Sequence, residues 1–123
     1  MSLPVGMNEP FSLIHRYYET VCSGEEIMRR AANTDDPAKR LALVAISLIT
    51  SIYLTQWRKK KPFNSMLGET YEMITEHVKF VAEKVQHTPD QIIAFRTEAL
   101  DYIIEGYEKV IAKLGFGGGK GML

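Results

Sequence analysis

The sequence predicts a helical first half and a second half that reads either as strands or as two further helices, which makes the chain α+β or all-α. Three observations lead there. An apolar run from Leu41 to Leu54 follows a proline-led start, "DDPAKR". Apolar residues at Phe11, Ile14, Tyr18 and Val21 recur at helical spacing. From Glu69 onward the chain is rich in β-branched and aromatic residues, yet many of them also recur every three or four positions.

Taken in order, "EPFSLIHRYYETV" predicts a short amphipathic helix from Glu9 to Val21. "SGEEIMRRAA" predicts a second one, with Ser23 as its cap and Glu25 and Glu26 in the first turn, where their charge complements the helix dipole. Asp36 can cap the next helix, and Pro37 suits its first position, where a missing N–H costs nothing. That helix is expected to run to Arg58. Its apolar run of about 14 residues is shorter than the roughly 20 that span a bilayer and is diluted by Ser47, Thr50 and Ser51, so a buried helix is expected.

The second half admits two readings. Leu67, Tyr71, Ile74, Val78, Val81 and Val85 form one helical stripe. "TPDQ" could cap a second helix carrying Ile93, Leu100, Ile103, Tyr107, Val110 and Leu114, with Gly115 as its stop. The competing reading is four strands: "ETYEMI", "VKFVAEKVQ", "IIAFRTE" and "DYIIEGYEKVIAKL". Periodicity alone leaves both standing.

Composition narrows the function. With 123 residues, 46% apolar, 24% charged and a formal net charge of zero, the chain fits one soluble globular domain or a piece of a larger one. No general affinity for nucleic acid is expected. Cys22, the single cysteine, rules out an intrachain disulfide and reads as a packing residue, which fits a reducing compartment. "MSLPVGMNEP" has neither a basic start nor an apolar run, so no secretory leader is expected. His15, His77 and His87 lack metal-ligand spacing, and no cofactor is expected. The tail "LGFGGGKGM" is not a phosphate loop, because Leu114 and Gly121 stand where that motif needs Gly and Ser or Thr. Glu69 and Glu83 have no accompanying nucleophile, so no enzyme is expected.

"KPFNSMLGET", Lys61 to Thr70, resembles the "KPFNPLLGET" signature of the oxysterol-binding protein family, departing at Ser65 and Met66. "EKVQHTPD", Glu83 to Asp90, resembles that family's "EQVSHHPP" fingerprint, matching at Glu83, Val85, His87 and Pro89. The flanks "LPVGMNEPFSLIHR", "DDPAKRLALVAIS" and "IIAFRTE" resemble the family as well, so the likeness runs from Leu3 to about Glu98.

The resemblance implies an α+β fold: N-terminal helices over residues 1–60, then, from residue 61 to 123, the first antiparallel strands of an incomplete β-barrel around a lipid tunnel. All-α remains the alternative if a short chain refolds along its helical periodicity. The implied function is lipid binding and non-vesicular transfer, a sterol or phospholipid being exchanged for phosphatidylinositol 4-phosphate between membranes. The protein would be cytoplasmic and peripheral to membranes. Lys61, Asn64, His87 and Thr88 fall on the headgroup positions, Thr88 replacing the family's second histidine. Leu3, Met66 and Leu67 fall at the tunnel entrance or lining. Physically, a lysine offers a point charge and an asparagine an amide donor to a phosphate, while Thr88 can donate one hydrogen bond but cannot be cationic. Arg58, Lys59 and Lys60 read as surface charge at a helix end. Four strands with unpaired edges invite homo-oligomerisation of a fragment, and the alternative function is a helical interaction module that no longer transports lipid.

Overall fold

Pro10, expected inside the first helix, lies instead in a strand. The structure, a computed structural model, describes residues 4–110. After a 3₁₀ turn at Val5–Met7, strand β1 (Asn8–Ser12) pairs in parallel with β2 (Lys61–Phe63), Asn8 opposite Lys61 and Ser12 opposite Phe63. The helix α1 therefore starts later than its apolar spacing suggests and spans Leu13–Cys22. Ser12 caps it by accepting from the His15 N–H, and Ser65, more than fifty residues on, accepts from the Ile14 N–H at 3.2 Å. An orphan donor of the helix start is thus satisfied by the loop after β2.

The second helix, α2 (Glu25–Ala32), is preceded by Gly24 at its N-cap, while Ser23 closes α1 and not, as expected, opens α2. Glu25 and Glu26 do occupy the first turn, and Glu25 pairs with Arg29 one turn on at 2.9 Å. Gly24 is needed for packing, because a Cβ there would run into the side chain of Ser47 on the next helix.

Helix α3 (Pro37–Thr55) begins as the sequence predicts: the Asp36 carboxylate accepts from the amides of Ala38 and Lys39, with Pro37 in the first turn. It stops three residues short of Arg58. The expectation that it is buried is overturned. Of its apolar residues, Leu41 is 70% exposed, Ile49 65% and Ile52 66%, and Ser47 is the only buried residue of the helix. At 19 residues and mean hydropathy 1.4, α3 matches a membrane-crossing helix by length and composition alone.

The second half is strand, and the all-α alternative is overturned. Strands β3 (Thr70–Ile74), β4 (Val78–Gln86), β5 (Gln91–Ala99) and β6 (Ile103–Val110) form an antiparallel meander in chain order. Among the described residues this sheet stays open. The four-residue stretch "TPDQ" caps no helix; it belongs to the hairpin between β4 and β5, where the Thr88–Pro89 peptide is cis. Gly115 and the end of the last predicted strand lie outside the described residues.

Alternation along β4 is complete: Val78, Phe80, Ala82 and Lys84 are buried, and Lys79, Val81, Glu83 and Val85 are exposed. The buried face packs on α1. Ile14, Phe80, Ala82 and Ile93 form the core, with Tyr17, Tyr18, Val21, Cys22, Tyr71 and Phe95 around them. Burial pushes the Cys22 thiol up to about 12, as suits a packing residue. The opposite face of the sheet carries Ile74, Val81, Val85, Ile103 and Tyr107 in the open.

Candidate functional site

The two motif segments come together at Lys84. Its position follows from strand phase: it continues the inward series Val78, Phe80 and Ala82, and it is fully buried. A buried ammonium needs all three of its donors met. The Lys84 Nζ donates to the Asn64 Oδ1 at 2.9 Å, to the Ser65 carbonyl at 2.7 Å and to the Gln91 Oε1 at 3.0 Å. None of these acceptors is charged. Burial holds the Lys84 ammonium below the ordinary lysine value, with the Glu69 carboxylate acting weakly the other way.

The backbone ties the same segments. The Gly68 N–H donates to the Lys84 carbonyl at 2.9 Å, and the Lys84 N–H to the Glu69 carbonyl at 3.0 Å. Gly68 turns the loop at φ +78°, a conformation a side chain rarely adopts. The Glu69 carboxylate closes the turn by accepting from the Met66 N–H at 2.8 Å. Met66 and Leu67 are left 74% and 64% exposed at its tip.

Of the sequence-predicted site residues, Asn64 is held by Lys84, and Lys61 lies three positions before it at the start of β2, exposed. His87 and Thr88 are exposed in the hairpin loop between Gln86 and Gln91, at the same end of the sheet. That loop is braced by the Gln86 Nε2, which donates to the Asp90 carbonyl at 2.9 Å, and by an Asp90–Lys109 ion pair at 2.8 Å. Leu3 lies outside the described residues. Sequence reading missed Lys84 and Gln91. The signal was there in Lys84, a charged residue in phase with three inward apolar ones.

Beside the site, Glu9 on β1 is buried and clamped by Arg16, which donates from Nε and Nη2 to its two carboxylate oxygens at 2.7 Å each. Arg16 also bonds Glu19, and Arg58 reaches the Glu19 carboxylate at 3.7 Å and the Thr20 hydroxyl at 3.1 Å. Arg58 is thus not mere surface charge; it ties the end of α3 to α1. No group of three metal-ligating side chains occurs among the described residues.

The profile of the family described as "Oxysterol-binding protein" matches residues 1–119. The chain belongs to the oxysterol-binding protein family. Human oxysterol-binding protein-related protein 2 is 35% identical over 121 residues, which cover 96% of this chain and 25% of that protein. Mouse oxysterol-binding protein-related protein 1 is 36% identical, again over 96% of this chain but only 12% of its own length. Among solved structures, the Osh1 ORD domain in complex with ergosterol aligns with a TM-score of 0.73 at 39% identity, covering 80% of this chain and 24% of that one. The Osh3 ORD from Saccharomyces cerevisiae in complex with PI(4)P aligns at 0.72 and 30% identity, covering 84% and 28%. This member of the family therefore spans between 12% and 28% of the length of these relatives.

Proposed function

We propose that this oxysterol-binding family chain binds lipid as part of a carrier, reading the phosphate of a phosphatidylinositol 4-phosphate headgroup that exchanges against a sterol or phospholipid. The observation that carries the proposal is the Lys84 junction, which holds the signature loop and the fingerprint hairpin in one unit although they are distant in sequence. Relatives of this fold bind ergosterol and PI(4)P. Lys61 supplies charge, and Asn64, Thr88 and His87 supply hydrogen bonds. Apolar burial of acyl chain or sterol contributes about 0.8 kcal/mol per CH₂. In this reading Met66 and Leu67, exposed at the loop tip, stand at the mouth where the lipid enters. The reading needs no covalent chemistry and puts the protein in the cytoplasm at membrane surfaces.

Flotation with vesicles tests this. Vesicles containing phosphatidylinositol 4-phosphate should bind the chain, and Lys61→Ala and His87→Ala should each weaken that binding by roughly tenfold, as for loss of a charge-assisted hydrogen bond. Equal binding to vesicles with and without the phosphoinositide would leave the motifs as ancestry.

A second reading rests on α3. Its exposed Leu41, Leu48, Ile49 and Ile52 form an apolar face larger in scale than single scattered side chains, which supports association of the isolated chain with itself. Sedimentation velocity is expected to show concentration-dependent oligomers. The double variant Ile49→Glu, Ile52→Glu is expected to be monomeric, and unchanged oligomers would remove α3 from the interface.

A further inference from the structure

We propose that Lys84 orients the carboxamides of Asn64 and Gln91 so that their NH₂ groups form a pair of phosphate donors, making Gln91 a second amide ligand of the anion site. The inference rests on the headgroup reading above and adds two residues to it.

Hydrogen-bond chemistry carries the argument. An ammonium only donates, so any carboxamide that meets it must present its oxygen. Asn64 and Gln91 both do, at 2.9 and 3.0 Å from the Lys84 Nζ. Each NH₂ group is thereby turned away from the buried lysine. Asn64 is exposed and Gln91 half-buried, and Lys61, His87 and Thr88 on the same two loop segments are exposed as well. Two amide groups with only donors outward select anions over cations.

The third donor of Lys84 goes to the Ser65 carbonyl, so the lysine has none left for a ligand. It is a positioning residue. Its charge still acts, because three neutral oxygens satisfy the hydrogen bonds without neutralising it. A buried cation whose hydrogen-bond partners are all neutral favours an anion at the nearby surface, an effect that the Glu69 carboxylate offsets only in part. The neighbouring Asp90 carboxylate, the natural competitor for such donors, is engaged by Lys109. Lys84 stands where the family fingerprint has glutamine, and Thr88 where it has a second histidine. A cation behind the site thus accompanies the loss of one in front.

The test is calorimetric titration of the full chain with soluble short-chain phosphatidylinositol 4-phosphate and, separately, with inorganic phosphate. Gln91→Glu decides it, because the change gives Lys84 a carboxylate partner, which should preserve or raise the melting temperature, while replacing outward donors with a charge that repels the anion. The expected result is a stable variant whose affinity for the lipid falls roughly tenfold or more. Gln86→Glu puts the same charge on the same hairpin, where the carboxamide donates to Asp90, and should change affinity less than about threefold. Equal losses in the two variants, or none in Gln91→Glu, would overturn the role of Gln91 while a loss in Lys61→Ala still upheld the headgroup reading. Binding of neither probe by the wild-type chain would overturn both. Binding of the lipid well above that of free phosphate would identify the headgroup as the source of the anion; equal binding would point to free phosphate in the same cradle.

Discussion

Replacing Arg16 with alanine is expected to destabilise the protein by about 3 kcal/mol, the low end for breaking a buried ion pair, since Arg16 keeps some contact with water. The substitution strands the Glu9 carboxylate, whose side chain is only 10% exposed and whose two oxygens both rely on Arg16. It also removes the guanidinium stacked 4.7 Å from the Phe11 ring and the link to Glu19. Stability against urea at neutral pH measures the loss. The pH dependence gives a second signature. In the wild type the Arg16 hydrogen bonds hold the Glu9 carboxyl below its ordinary value of 4.5, against the opposing effect of burial. A depressed folded pKa means that the stabilisation is present above the unfolded value and is lost as pH falls through the folded one. Without Arg16, burial dominates and raises the Glu9 pKa, so the variant's deficit should shrink on moving from neutral pH to about pH 4. A deficit that stays constant with pH would mean that Glu9 is not the group left stranded.

The second large effect belongs to Phe80. Its ring, 2% exposed, lies 5.3 Å from Tyr18 edge-on and 6.4 Å from the rings of Phe95 and Tyr71. Phe80→Ala should cost about 4 kcal/mol, combining lost burial with the cavity left among rings that cannot close over it. That is a large fraction of the roughly 5–15 kcal/mol by which native domains are stable. Val81, one residue on, points to the open face and is 41% exposed, so Val81→Ala should cost about 0.5 kcal/mol. Because a one-residue slip would exchange the two faces, the contrast tests the register of β4 as much as the core. Comparable losses at both positions would contradict it.

That same open face explains why the strands were hard to read. Val81 and Val85 are apolar and exposed, so β4 shows Val78, Val81 and Val85 at intervals of three and four as well as a true alternation. Apolar residues on both faces erase the clean period of two on which strand recognition depends. The resemblance of Lys61–Thr70 and Glu83–Asp90 to the family motifs supplied what periodicity could not. The cap of α3 was legible because Asp36 and Pro37 act within a few residues of one another. The start of α1 was not: what draws Asn8–Ser12 into a strand is Lys61–Phe63, and no local pattern reports a partner that far along the chain. Ser65, read as a departure from the signature, turns out to serve the Ile14 amide. At the site, residue types pointed to Asn64 but not to what holds it, since Lys84 reveals its role only once the strand phase is known.

The measurement closest to the central claim is a heteronuclear NMR titration of the chain with short-chain phosphatidylinositol 4-phosphate, following backbone amides together with the Asn64 and Gln91 side-chain NH₂ signals. The predicted result is a set of saturable shifts confined to residues 61–69 and 84–91, with both carboxamides among the largest. Shifts absent there, or centred instead on the exposed face of α3, would contradict it.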